Sequence, residues 1–290
     1  MPMADSNLSP PTVVITGAST GIGEACALEL HRRGFRVFAG VRAKSAAEKL
    51  RARASSRLTP VRLDVTDGAS IASAAAIVRD AVGDAGIAGL VNNAGIAVPG
   101  PLEILPIDAL RRQFEVNVIG QVAVTQAFLP LLRKGRGRLV NISSLNGGLA
   151  TPYLGAYSAS KFAFEAITDA LRLELRTWGI RVSSVAPGPI DTPIWRKGIF
   201  TGDQLMEQVA AEGLALYEAD LAALRRSVDR SILAASPVDR VVRAVVHALV
   251  AKRPKTHYFL GWGARVCFKG TKMLPDRLRD WIVRKVIGLS

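Results

Sequence analysis

Tyr157 and Lys161 stand four residues apart in Tyr157-Ser158-Ala159-Ser160-Lys161, a segment that reads as the start of a helix, so their side chains share one face. A free phenol titrates near ~10 and is a poor base at neutral pH, but a nearby ammonium favours phenolate. Such a pair can exchange a proton with an alcohol or a carbonyl. Upstream, Asn141-Ile142-Ser143-Ser144 ends an apolar strand. Strand ends in α/β sheets are where ligands sit, and a serine hydroxyl there can donate to a developing oxyanion. The tyrosine–lysine spacing alone is common, since any amphipathic helix start can show it.

A second constellation is the glycine-rich run Thr16-Gly17-Ala18-Ser19-Thr20-Gly21-Ile22-Gly23, between the apolar run Val13-Val14-Ile15 and a helical stretch from Glu24 to Arg33. Strand, glycine turn and helix together let a pyrophosphate approach backbone N–H groups at a helix N-terminus, so a dinucleotide fits there. Dinucleotide folds often place an acidic residue at the end of the second strand, on the ribose hydroxyls. Here that strand ends Gly40-Val41-Arg42. A guanidinium suits a 2′-phosphate, so NADP(H) is expected in preference to NAD(H), with Ser19 and Lys44 as assistants.

The elements that must position these groups follow a repeated β-then-α order. Strands are expected at Val13–Ile15, Arg36–Val41, Val61–Leu63, Leu90–Asn92, Leu139–Ile142 and Val182–Val185, with a last one at Tyr258–Leu260. Alanine-rich helices lie between them, one from about Tyr157 to Trp178. This predicts an α/β fold, a Rossmann-type doubly wound parallel sheet of about seven strands with helices on both faces. The expected divisions are a flexible N-terminus over 1–11, one dinucleotide-binding domain over 12–270 and a basic amphipathic helix over 271–290. Residues 193–236 form an insertion rich in apolar and charged residues, expected to be a substrate lid within the domain.

The chain resembles the classical short-chain dehydrogenases/reductases over residues 12–193. The resemblance rests on the TGxxxGxG turn at Thr16–Gly23, Asp64, Asn92-Asn93-Ala94-Gly95, Asn117, the Ile142-Ser143-Ser144 serine, Tyr157 with Lys161, and Pro187-Gly188 followed by Thr192. It implies an NAD(P)-dependent oxidoreductase with the catalytic tetrad Asn117, Ser144, Tyr157 and Lys161. Ser144 is preferred to Ser143 because it lies thirteen positions before Tyr157, as in the family. Asn117 would support a helix bend and a water linked to Lys161, which would also hold the nicotinamide ribose. The cofactor set implied is Gly17, Ser19, Thr20, Gly21, Ile22, Gly23 and Arg42, with Asp64 and Val65 at the adenine and Asn92, Ala94 and Gly95 on the adenosine side. Pro187, Gly188, Ile190 and Thr192 would border the nicotinamide.

The residues expected around the substrate, Leu145, Leu149, Tyr153, Leu154, Trp195 and Phe200, are apolar or aromatic and suit a hydrophobic alcohol or ketone. Within the family the resemblance is closest to the retinol and hydroxysteroid dehydrogenase branch, which implies a retinoid, steroid or long-chain lipid. An NAD(H) enzyme of a different small substrate, or a non-catalytic nucleotide-sensing scaffold, is the alternative. The family also implies a homodimer or homotetramer.

Composition narrows the rest. The 290 residues carry a net charge of +14, 49% hydrophobic residues and only two cysteines, which excludes a disordered chain and a disulfide framework. Three scattered histidines argue against a metal site, and no nucleic-acid motif accompanies the basic charge. Ten of the Lys/Arg residues fall in 251–290, against Asp276 and Asp280 alone. In the tail, Leu278, Trp281, Ile282, Val286 and Leu289 read as one helical stripe. It is expected to pack on its own domain or a sister subunit, or to touch a membrane surface. Neither a secretory signal nor a membrane span is read, so a cytoplasmic protein able to associate with a membrane surface is expected.

Overall fold

A computed structural model describes residues 10–207, 211–261 and 264–289. Most of the flexible N-terminus expected over 1–11 lies outside the described residues. In chain order the elements are β1 (Thr12–Ile15), α1 (Gly21–Arg32), β2 (Arg36–Val41), α2 (Lys44–Arg51), β3 (Leu58–Arg62), α3 (Gly68–Val82), β4 (Gly89–Asn92), α4 (Ile107–Phe114), α5 (Gly120–Lys134), β5 (Arg138–Ile142), α6 (Gly155–Glu174) and β6 (Arg181–Pro187). Then come α7 (Pro193–Met206), α8 (Ala211–Ala215), α9 (Glu218–Leu233), α10 (Asp239–Val250), β7 (His257–Leu260), α11 (Ala264–Lys269) and α12 (Asp276–Ile287).

The strands form one seven-stranded sheet in the order β3-β2-β1-β4-β5-β6-β7, and every neighbouring pair is parallel. The expected Rossmann-type α/β fold is therefore present. Side-chain alternation along β1 sends Val13 and Ile15 into a core shared with α1 and α10, while Val14 enters a second core with α3 and α5. Helices thus cover both faces, which is why these strands read as unbroken apolar runs. Local chemistry sets the boundaries. The Asp67 carboxylate caps α3, accepting from the N–H groups of Ala69 (2.9 Å) and Ser70 (3.1 Å).

Order reverses between β1 and β4, and a crevice lies along the C-terminal edge of the sheet there. α4 and α5 are one continuous helical run interrupted by a wide π-turn at Glu115–Ile119. That run, Ile107–Lys134, is long and apolar enough to cross a bilayer, but half of its most apolar window is buried in this domain, where α5 packs against α3. The segment expected to be a lid folds as α7, α8 and α9. The tail packs on its own domain, one of the outcomes expected for it, but through only part of the expected stripe. α12 docks through Val283 and Ile287, which with Leu289 meet Ala223 of α9 and Tyr153. Of the stripe read from sequence, Leu278, Trp281 and Val286 instead face solvent, 45%, 58% and 71% exposed.

Candidate active site

The crevice is a cavity of about 260 Å³ running along the C-terminal edges of β1, β2, β4 and β5. Its floor starts at the glycine-rich turn. Gly17 has φ +64°, and a Cβ there would lie 2.7 Å from Ala94 Cα, so the loops after β1 and β4 touch backbone to backbone. Asn93 fixes that contact. Its Nδ2 donates to the carbonyls of Thr16 (3.0 Å) and Gly17 (3.1 Å), while the Thr16 hydroxyl accepts from the N–H groups of Asn93 and Ala94, both at 2.9 Å.

Gly17, Ser19, Thr20, Gly21 and Ile22 line the crevice, with Ala94 and Gly95 opposite. Two residues expected there do not. Gly23 faces the Gly17 carbonyl, where any side chain would overlap the turn, so its role is to let α1 close against the loop. Asn92 points beneath the sheet, its Nδ2 donating to Thr125 Oγ1 (2.8 Å) and Asn141 Oδ1 (3.0 Å). Strand alternation is the reason, since neighbouring residues at the end of β4 face opposite ways. Asn93 was the residue to choose.

At one end of the crevice stand Arg42, Asp64 and Val65. Partial burial works to raise the Asp64 carboxyl. The N–H and hydroxyl of Thr66 (3.0 and 2.8 Å), with Arg42 and Arg62 nearby, outweigh it and hold the group below the usual carboxylate range. Lys44, expected to assist, opens α2 on the exposed surface and is not part of the crevice wall.

At the other end α6 presents Tyr157 and Lys161, with Ser144 from the loop after β5, all buried. The Ser144 hydroxyl hydrogen-bonds the Tyr157 phenol and also accepts from the N–H of Asn146 at 3.2 Å. Lys161 Nζ donates to the Ile142 carbonyl at 2.9 Å and lies 5.9 Å from the Tyr157 ring centre. Burial pushes the Tyr157 phenol above its ordinary pKa, only partly offset by Ser144. This corrects the expectation of a phenol made acidic by its ammonium neighbour: desolvation of the phenolate wins. Burial also lowers Lys161 to about 8, against which the Glu165 carboxylate works to raise it.

Asn117 sits in the wide turn between α4 and α5. Its Oδ1 accepts from Ile96 N (2.9 Å), and its Nδ2 donates to Ile96 O (3.0 Å) and Ser160 Oγ (3.1 Å). The extra residue of a π-turn points the amide inward, a common device at functional sites. Asn117 thereby ties the loop after β4 to α6, and its Oδ1 would lie 3.4 Å from a Cβ at Gly95.

Pro187, Gly188, Ile190 and Thr192 close the wall beside Tyr157. Trp195 of α7 stands over it, with ring centres 6.2 Å apart and edge-on. Behind Trp195 lies an apolar pocket of about 60 Å³ that shares Ala97, Trp195 and Gly198 with the crevice and is walled by Pro99, Leu154, Leu221, Leu224 and Val228. Leu154 and Trp195 therefore fall where expected. Leu145 packs against Gly188 at the crevice edge. Leu149 and Tyr153 do not join them: they line a separate groove against Arg279, Val283 and Arg284 of α12, because Tyr153 turns outward at φ +62° toward Asp220. The Phe200 side chain lies outside the described residues. Ala97, Ile194 and Lys197 also line the crevice, and no motif marks them in the sequence.

Comparison with known proteins agrees with this geometry. The family model described as short chain dehydrogenase matches residues 11–199. A 3-amino-tetrahydro-pyrrolizinone reductase from Xenorhabdus hominickii is 38% identical, covering 93% of this chain and 94% of its own. The 17-beta-hydroxysteroid dehydrogenase type 6 of Bos taurus is 39% identical (97% and 90%), and retinol dehydrogenase 5 of Homo sapiens 38% (95% and 88%). A short chain dehydrogenase from Burkholderia cenocepacia, solved in complex with NADP, superposes with a TM-score of 0.70 at 29% identity, covering 96% of this chain and 98% of that one. The chain belongs to the short-chain dehydrogenases/reductases, in the branch of the retinol and hydroxysteroid dehydrogenases, and is an NAD(P)-dependent oxidoreductase.

Proposed function

We propose that this enzyme moves hydride between NADP(H) and a hydrophobic alcohol or ketone of retinoid, steroid or long-chain lipid type. The observation that carries the reading is continuity. One crevice leads from Arg42, past the N-terminus of α1, to Tyr157 and Ser144, and opens there onto the apolar pocket behind Trp195. A dinucleotide suits the crevice: Gly17 and Ala94 leave room only for backbone, the first N–H groups of α1 face its middle, and a guanidinium replaces the acid that would select unphosphorylated ribose. The NADP-bound relative supports the same choice.

Bound nicotinamide would supply or accept the hydride. For reduction, Tyr157, kept as a phenol by burial, gives its proton to the carbonyl oxygen. Ser144 hydrogen-bonds both that phenol and the substrate oxygen, holding them in line. Lys161, fixed by the Ile142 carbonyl, places positive charge beside the phenolate left behind and would hold the nicotinamide ribose. Asn117 keeps the catalytic helix and the loop after β4 in register. Oxidation of an alcohol reverses each proton movement.

The test is a panel of retinoids, ketosteroids and long-chain ketones, followed by loss of reduced-nicotinamide absorbance with NADPH and with NADH. Turnover of apolar carbonyls with NADPH strongly preferred is expected. Turnover confined to small polar sugars, or nucleotide binding without turnover as in a nucleotide sensor, would remove the proposal.

A specific surface favours a cytoplasmic enzyme working at a membrane. Leu278, Trp281 and Val286 project from α12 beside Arg277, Arg284 and Lys285, an apolar and cationic face suited to anionic lipid. Flotation with phosphatidylserine vesicles should fall in the double variant Leu278→Ser, Trp281→Ser; unchanged recovery counts against membrane contact. The exposed Ile107, Ile119 and Leu173 suit a homodimer or homotetramer, checked by sedimentation.

A further inference from the structure

Among the described residues, only two side chains that carry charge at neutral pH are buried: Lys161, 5% exposed, and Glu165, 7% exposed. They sit one turn apart on α6 and share a face. Taking a carboxylate out of water costs several kcal/mol unless donors and a counter-charge receive it. Glu165 has both. Its Oε1 accepts from the Ser184 hydroxyl of β6 at 2.6 Å, and its Oε2 faces His257 Nε2 of β7 at 3.2 Å. His257 is held in turn, stacked on Phe259 with the planes 9° apart and packed beside Phe268 of α11. The floor under Glu165 is closed by Gly147, where a Cβ would lie 2.9 Å from Glu165 Cγ and 3.0 Å from Ser143 Oγ.

We propose that Glu165 is a positioning residue for the reaction, the buried counter-charge that keeps Lys161 an ammonium, and that His257 holds it in place from the outer side of the sheet. This rests on the reading of Tyr157 and Lys161 as catalytic. Glu165 does not line the crevice that Tyr157, Ser144 and Lys161 share, so it acts only through the lysine.

The consequence concerns pH. The groups around Glu165 are Lys161 and Asp169 on α6, Ser184 on β6, Ser143 after β5 and His257 on β7. Asp169 lies 3.7 Å from His257 and is itself engaged by Arg172, while Lys269 of α11 lies over the Phe259 ring. Among the described residues Lys161 is the one buried cation, and it shares Glu165's face of the helix. Removing the carboxylate charge therefore leaves burial unopposed at Lys161, and the lysine loses its proton at lower pH.

The experiment is acetic anhydride labelling of Lys161 in the full-length protein across a pH series, read by mass spectrometry, alongside the pH profile of kcat. In the wild type the labelling midpoint is expected at about 8. Glu165→Gln keeps the shape and an acceptor for Ser184, and should move both the midpoint and the alkaline limb of kcat down by roughly one unit. NADPH affinity and melting temperature should stay near wild type. His257→Phe keeps the ring stack but removes the imidazole nitrogen that faces Oε2, and should move both in the same direction by less. A Lys161 midpoint unmoved in both variants, or a uniform loss of kcat at every pH with a fallen melting temperature, overturns the proposal. Labelling reports on Lys161 without turnover, so failure of the catalytic reading shows separately, as full activity in Tyr157→Phe.

Discussion

The floor of the active site and its roof are held by different kinds of contact. Beneath the cofactor crevice, Thr16, Asn93, Asn117, Asn141 and Lys161 are locked by hydrogen bonds between buried groups, several of them side chain to backbone across distant parts of the chain. The roof of α7 to α9 is tied down at its rim by Arg225 to Asp203, Tyr153 to Asp220 and Tyr217 to Glu103, and otherwise rests on apolar packing. Buried hydrogen bonds hold geometry because each lost partner is expensive, whereas rim contacts are screened by water. The chemistry therefore sits on the part that cannot shift, and selectivity for the substrate on the part that can adapt.

Four substitutions can break or sharpen this contrast. Tyr157→Phe should cut kcat by about 100- to 10,000-fold while leaving NADPH binding intact, as read by steady-state kinetics and fluorescence titration. Asn117→Ala should strip the Ile96 N–H of its acceptor, leave the Ile96 carbonyl to Gln113 alone, and cost roughly 1–3 kcal/mol in denaturant unfolding, with activity falling alongside; a loss under 1 kcal/mol would mean the floor is less rigid than its bonds imply. Arg42→Leu should lower kcat/KM for NADPH by roughly 10- to 100-fold and leave NADH nearly unaffected, since one charge-assisted phosphate contact is lost. Asp203→Asn breaks a half-exposed rim pair and should change stability by less than about 0.5 kcal/mol, its effect confined to the KM of bulky apolar substrates. A large stability loss there would show that the roof is built like the floor.

The pH dependence follows from the two shifted groups of the floor. The raised phenol keeps Tyr157 protonated through neutrality, which suits carbonyl reduction, and Lys161 gives up its charge above about 8. Reduction should therefore hold from neutral pH up to that point and decline beyond it, measured as kcat against pH.

Much of this was legible from residue order. Apolar runs, the glycine turn and the tyrosine–lysine spacing locate the sheet, the crevice and the proton donor, because each depends on local chemistry. What escaped depends on direction or on distant neighbours. Asn92 and Asn93 are adjacent and chemically identical, and only the pleat of β4 decides which one faces the crevice. Leu149 and Tyr153 look like pocket residues until the outward turn at Tyr153 carries them to another groove. Of the tail stripe Leu289 joins the docked face while Leu278, Trp281 and Val286 do not, because docking is decided by α9, against which Val283 and Ile287 fit. The sign of the Tyr157 shift needed burial, which spacing does not report.

The wide turn at Glu115–Ile119 has a further consequence. It stores one residue more than regular winding requires, and in an α-helix one residue is worth about 100° of rotation. Deleting that residue would let the helix heal, but it would also swing Val124, Phe128 and Leu132 away from the sheet they are packed on. The irregularity is thus indexed to the core: this enzyme cannot straighten the helix that carries Asn117 without unpacking the hydrophobic face that holds it together.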